Sequence, residues 1–192
     1  MQLRRTAGRW VVAGVEAQPA PGPVLARCYG RSMSAMEREP VALQQRRVLA
    51  SDLFNRVWEL LETAQRTREQ DDEMLHGAHA SRALWAGVGT VANLARGEWQ
   101  CSRVYAVLGR PEPALWHARR CLELCEQADP GVLADFDLPF AFEALARASV
   151  VAGERDAALG WLERAADAAL RIAEADDREL VATDLQDVRR LL

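Results

Sequence analysis

The feature that most constrains this chain is a helical hydrophobic period that runs almost unbroken from Val41 to Leu192. Apolar residues return at three- and four-residue steps, the spacing that lines one face of an α-helix. Leu53, Val57, Leu60, Leu61 and Ala64 do so after Ser51, a candidate N-cap, and predict a first helix that begins as early as Val41. Thr67 and Gln70 have the spacing of a capping box and predict a second helix over 68–85, closed by Gly87 and Gly89. Thr90 opens a third, which ends at Leu108 and Gly109. Pro113 suits the first turn of a fourth, where its missing N–H costs no bond, and Leu115, Ala118, Leu122 and Cys125 give that helix its buried stripe. Asp137 and Pro139 open a fifth that Gly153 terminates. Leu159, Leu162, Ala166, Ala169 and Ala173 mark the inner face of a sixth, and a short helix over 178–190 covers the end. Period-two runs of β-branched and aromatic residues are absent, so the fold class is all-α.

Residues 1–40 read differently. Pro19, Pro21, Gly22 and Pro23 cluster there and no apolar period appears, which predicts an unstructured segment ahead of one helical domain over 41–192. Met33 and Met36 stand just before the patterned region, so one of them is expected to be the true start and the upstream stretch a translated leader. The apolar run from Trp10 to Val15 is too short to cross a bilayer and marginal for a signal-peptide core, so neither a membrane nor export is expected. Cys28, Cys101, Cys121 and Cys125 form no CxxC pair and lack the density of a secreted disulfide scaffold, which fits a reducing cytoplasm. Cys121 and Cys125, one turn apart, read as small buried hydrophobes. A formal net charge of −4 argues against a nucleic-acid partner, because neutralising phosphates needs a concentrated basic surface. All 24 basic residues are Arg, with abundant Ala, a bias expected of a GC-rich bacterial genome.

An internal repeat overlies the helical period. Ser102-Arg103, Tyr105, Leu108-Gly109 and Ala114-Leu115 return as Ala146-Arg147, Ser149, Ala152-Gly153 and Ala158-Leu159, each pair 44 positions apart. Arg120 and Arg164 keep the same offset. Each unit is a helix, a tight turn at Gly and a second helix. The small residues at 102 and 114, and at 146 and 158, are expected to face one another and let the two backbones approach. In order and type, Ser102, Tyr105, Gly109 and Ala114 resemble the tetratricopeptide (TPR) pattern, and Ala146, Gly153 and Ala158 match it again, with Ser149 in place of Tyr. The resemblance covers about residues 96–175. It implies a TPR-like stack of about three antiparallel helix pairs with a C-terminal capping helix. The 44-residue period exceeds the roughly 34 of a TPR, so longer helices are expected. Trp99 sits one place late for the family's early Trp, and residues 51–88 do not align.

The resemblance implies a groove lined by the first helix of each pair, which holds an extended protein or peptide segment. Carried onto this chain, the groove positions are Asn93, Arg96, Trp99, Arg103, Glu143 and Arg147. Guanidiniums around an aromatic ring suit an acidic side chain or a C-terminal carboxylate, through bidentate hydrogen bonds. The competing reading pairs these arginines with nearby carboxylates such as Glu98 and Glu143. A self-packing homodimer through the groove is a further expectation. Asp72, His76 and His79 share one helical face and form the alternative site, a metal-ligand set for zinc or iron in a helical-bundle protein or enzyme. Three ligands from one straight helix seldom converge, so Glu98 or His117 would have to contribute. No phosphate loop or nucleophile elbow is present, so binding is expected rather than catalysis, without a cofactor.

Overall fold

A computed structural model describes the backbone of residues 2–6 and 9–13 and, with side chains, residues 42–192. Seven helices follow one another in the latter region: α1 (Leu43–Leu61), α2 (Arg68–Ala86), α3 (Val91–Val107), α4 (Pro111–Glu126), α5 (Asp137–Val151), α6 (Arg155–Ala169) and α7 (Ala175–Arg189). The region is all-α, as its period dictates. α1/α2, α3/α4 and α5/α6 pack as antiparallel hairpins, each second helix also lies against the first helix of the next pair, and α7 closes the stack on α5 and α6.

Local chemistry explains the boundaries. Thr67 and Gln70 exchange the reciprocal bonds of a capping box, Thr67 N–H to Gln70 Oε1 at 2.9 Å and Gln70 N–H to Thr67 Oγ1 at 3.3 Å. The two repeat turns share one geometry. Gly109 and Gly153 take φ of +66° and +75°, a region open to Gly at little cost. Arg110 N–H and Glu154 N–H then reach back to the carbonyls of Tyr105 and Ser149, both at 2.9 Å, completing the same helix-ending motif twice. The small residues nest as the repeat requires. Ser102 donates to the Ala114 carbonyl at 2.9 Å, and Ala146 and Ala158 have no exposed surface.

Several expectations are corrected. Ser51 caps nothing, because α1 has already begun at Leu43 and Ser51 lies buried inside it. α6 buries Ala158, Leu162, Ala165, Ala168 and Ala169, so Leu162 and Ala169 lie inside as expected, while Leu159 is exposed, Ala166 is half-buried and Ala173 lies exposed beyond the helix end. On an Ala-rich helix the apolar stripe is wide and its centre is poorly marked by sequence alone. In α4 the buried apolar residues are Ala114, Ala118, Cys121, Leu124 and Cys125, with Leu115 and Leu122 at the margin. The helices are long, as the period predicts, with 17 residues in α3 and 16 in α4, and the connection over 127–136 adds the rest and carries Asp137 into place.

A two-stranded antiparallel hairpin, β1 (Gln2–Thr6) with β2 (Arg9–Ala13), stands where no strand was expected, and β2 lies against α1. Five-residue strands joined by two residues are too short for a periodicity argument, and Ala7-Gly8 is a weak turn signal. Residues 14–41, with Cys28, Met33 and Met36, lie outside the described residues, and with them the expected leader. None of the described helices is long and apolar enough to cross a membrane.

Trp99 is the hinge of the main core. Its ring lies 5.2 Å from that of Trp58 and 4.9 Å from that of Phe140, so α1, α3 and α5 meet on it. A smaller apolar cluster of Val57, Leu60, Met74, Ala78, Cys101 and Val104 joins α1, α2 and α3.

Candidate functional site

The repeat offset places equivalent residues of α3 and α5 side by side. Trp99 and Glu143 are 44 positions apart, and the Trp99 indole N–H donates to Glu143 Oε2 at 3.0 Å. Arg103 and Arg147 are equivalent too, and both converge on Glu143 Oε1, Arg147 Nε at 2.7 Å and Arg103 Nη1 at 3.2 Å. Glu143 is fully buried. Burial alone would raise its pKa, but Arg147, then Arg103 and the Trp99 hydrogen bond reverse this and hold the carboxyl below the usual range. Arg103 also reaches Asp184 Oδ2 on α7 at 3.4 Å. Burial works against the Arg103 charge, and Asp184 and Glu143 outweigh it, so the guanidinium stays charged. Two guanidiniums therefore meet two carboxylates. The count is even, but the geometry is not: Nη2 of Arg147 is buried with no acceptor in reach among the described residues, although the side chain is only 9% exposed.

All six expected groove residues come together on α3 and α5, but they do not all face a partner. Arg96 is 6% exposed and forks onto Asp137, Nε to Oδ1 at 2.7 Å and Nη2 to Oδ2 at 2.8 Å. The space beside that fork is about 10 Å³, room for one water and not for a peptide carboxylate. Arg96 and Asp137 thus fix the start of α5 against α3, helped by the Ala134 N–H, which donates to Asp137 Oδ2 at 2.8 Å. Asn93 closes the start of α3, its Oδ1 accepting from Thr90 N–H at 2.8 Å and Thr90 Oγ1 at 3.0 Å. Asp137 and Asp184 were missed as partners because nothing in sequence marks a carboxylate 41 or 81 positions away. The Trp99/Glu143 contact was in principle readable from the shared offset.

A second group of polar side chains lies at the junction of α2, α3 and α4. Asp72 and His76 are exposed, and the structure does not join them to His79 in a site. His79 turns inward instead, Nε2 at 2.9 Å from the Tyr105 hydroxyl and its ring 5.2 Å from that of His117. His117 Nδ1 lies 2.6 Å from Glu98 Oε2, and Arg82 Nε donates to the other oxygen of Glu98 at 2.9 Å. Burial, and next the neighbouring His117, push the His79 pKa down, which favours its neutral form. Burial disfavours the Glu98 carboxylate, but His117 and Arg82 prevail and keep it ionised. Burial, and then Glu98, push the Cys101 thiol up to about 12, so it is protonated and inert by itself. Sequence reasoning found His79 and raised Glu98 and His117 as supplements, but missed Cys101, which shares no helix with either histidine.

No family profile, curated protein or solved structure matches this chain.

Proposed function

We propose that the chain is a TPR-like interaction module, of bacterial origin and acting in the cytoplasm, that holds a protein or peptide segment through a carboxylate on the inner face of its stack. The observation that carries this reading is the unfilled donor of Arg147. A buried N–H without an acceptor costs about 1–3 kcal/mol, so seating a carboxylate there offsets the work of parting the side chains above it. Arg103 is the second contact, since its 3.4 Å approach to Asp184 is longer than its 3.2 Å approach to Glu143 and is the cheaper one to exchange for an incoming carboxylate. Arg96, Asn93 and Trp99 hold the helices that present these two arginines. Free thiols at Cys101, Cys121 and Cys125 accord with a reducing compartment.

Fluorescence anisotropy with labelled peptides that carry Asp, Glu or a free C terminus, set against their amidated Gln and Asn counterparts, tests the proposal. The carboxylate peptides are expected to bind with salt-sensitive affinity. Arg147→Met keeps the aliphatic stem and should weaken them by roughly 10- to 100-fold, the value of a charge-assisted hydrogen bond, at a temperature where circular dichroism shows the variant folded, its Tm being lowered by the loss of the nearest partner of Glu143. Equal affinity in the variant, or no preference for carboxylate over amide, would count against it. Light scattering on the same samples reports whether a second copy supplies the carboxylate.

A further inference from the structure

We propose that His79, Cys101 and His117 form a binding site for a zinc-class transition-metal ion where α2, α3 and α4 meet. One ligand atom from each lies within 4.8 Å of the other two, and each comes from a different helix. Convergence from three directions is what the single-helix set of Asp72, His76 and His79 lacks. A tetrahedral zinc site with ordinary bond lengths separates its nitrogens by about 3.3 Å and sulfur from nitrogen by about 3.5 Å. The side chains therefore need to close by at most roughly 1.5 Å, within the reach of small χ rotations.

The donor chemistry selects the ion. One thiolate and two imidazoles form a borderline-soft set that favours zinc or copper over magnesium or calcium, which prefer all-oxygen shells. The surroundings supply the orientation such sites use. Glu98 occupies Nδ1 of His117 at 2.6 Å and leaves Nε2 for a metal, the carboxylate–histidine arrangement that fixes the ring and raises its basicity. Glu98 is itself held by Arg82, and Gly97 makes the space for that arm: a Cβ at position 97 would stand 2.7 Å from Arg82 Cδ. The Tyr105 hydroxyl, 2.9 Å from His79 Nε2, holds the second ring in the same way. His79 is half-buried and gives an ion access from the surface, while Cys101 and His117 are buried beneath it. On binding, the Cys101 thiol loses its proton to solvent, and the thiolate with the Glu98 carboxylate offsets the two positive charges of the ion.

The same rings also stack on one another, with Tyr105 and His117 nearly parallel at 5.5 Å, so packing alone is the rival explanation. The full, untagged chain, stripped with a chelator, would be titrated with zinc by calorimetry and with cobalt by absorption. Expected are a single equivalent of zinc, a higher Tm with zinc, and a cobalt band of the thiolate charge-transfer type. Cys101→Ala and His117→Gln should each remove zinc binding and the cobalt band. His79→Gln, at a half-buried position that tolerates change, should do the same. Asp72→Ala with His76→Ala should leave both intact, and Glu98→Gln should weaken zinc by about 10- to 100-fold. A wild-type chain that binds no zinc, or binding that survives Cys101→Ala or His79→Gln, overturns the site and assigns these side chains to packing. Neither result bears on carboxylate capture by Arg147, which lies on another face of the stack.

Discussion

Glu143→Ala is expected to destabilise the chain by about 3–5 kcal/mol, the cost of removing one partner from a buried ion cluster. Glu143 is the shared acceptor for Trp99, Arg103 and Arg147, so its loss leaves Arg147 desolvated without its described carboxylate, Arg103 with Asp184 alone, and removes the described acceptor of the Trp99 indole N–H. Thermal unfolding should show a Tm lower by roughly 10 °C for a domain of this size. The pH dependence carries the same signature. The folded-state pKa of Glu143 lies below its ordinary value of 4.5, so its contribution is present above that value and is lost as the pH falls through the folded pKa. The depressed pKa of His79 acts in the same direction, below its ordinary value of 6.5. Melts from pH 7 to pH 3 should fall steeply for the wild-type chain and less steeply for Glu143→Gln. An unchanged slope in that variant would remove Glu143 from the account.

Arg96→Met should cost a comparable amount, about 3–5 kcal/mol, for a different reason. The Asp137 carboxylate is buried and receives both donors of the Arg96 fork, and without them one Ala134 N–H at 2.8 Å is its remaining described donor. The expected structural consequence is local: the connection over 127–136 and the first turn of α5 loosen, which hydrogen exchange would report as faster amides there than in α2. Adding Asp137→Asn removes the orphaned charge and should restore part of the loss, so the double variant is expected to be more stable than Arg96→Met alone. Strict additivity of the two changes would show that the fork contributes no coupling.

The helices were legible because they rest on local rules. Thr67 with Gln70, Gly109 and Gly153 each fix a boundary within a few residues of chain, and the 44-residue offset correctly pairs Ser102 with Ala114 and marks Ala146 and Ala158 as buried. Legibility faded wherever the deciding partner is remote. The competing pairing with Glu143 is what Arg103 and Arg147 make, whereas the Arg96 acceptor, Asp137, and the second acceptor of Arg103, Asp184, sit on helices whose packing the sequence does not announce. Cys101 was given no role for the same reason, its neighbours His79 and His117 being brought to it by two other helices. Ser51 misled because a polar residue ahead of an apolar period looks like a cap, although the expected start as early as Val41 was close to the observed one at Leu43. The site is therefore composed of the residue types that were expected, in a different arrangement: inward pairs with one donor left over, rather than an open clamp.

That leftover donor is the centre of the account, and side-chain NMR of the arginine guanidiniums measures it directly. As a carboxylate peptide is added, the Arg147 resonances are predicted to shift and saturate with the binding curve, with smaller changes at Arg103 and none at Arg96, which stays locked on Asp137. Resonances of Arg147 that stay fixed while the peptide binds, or shifts confined to Arg96, would contradict it.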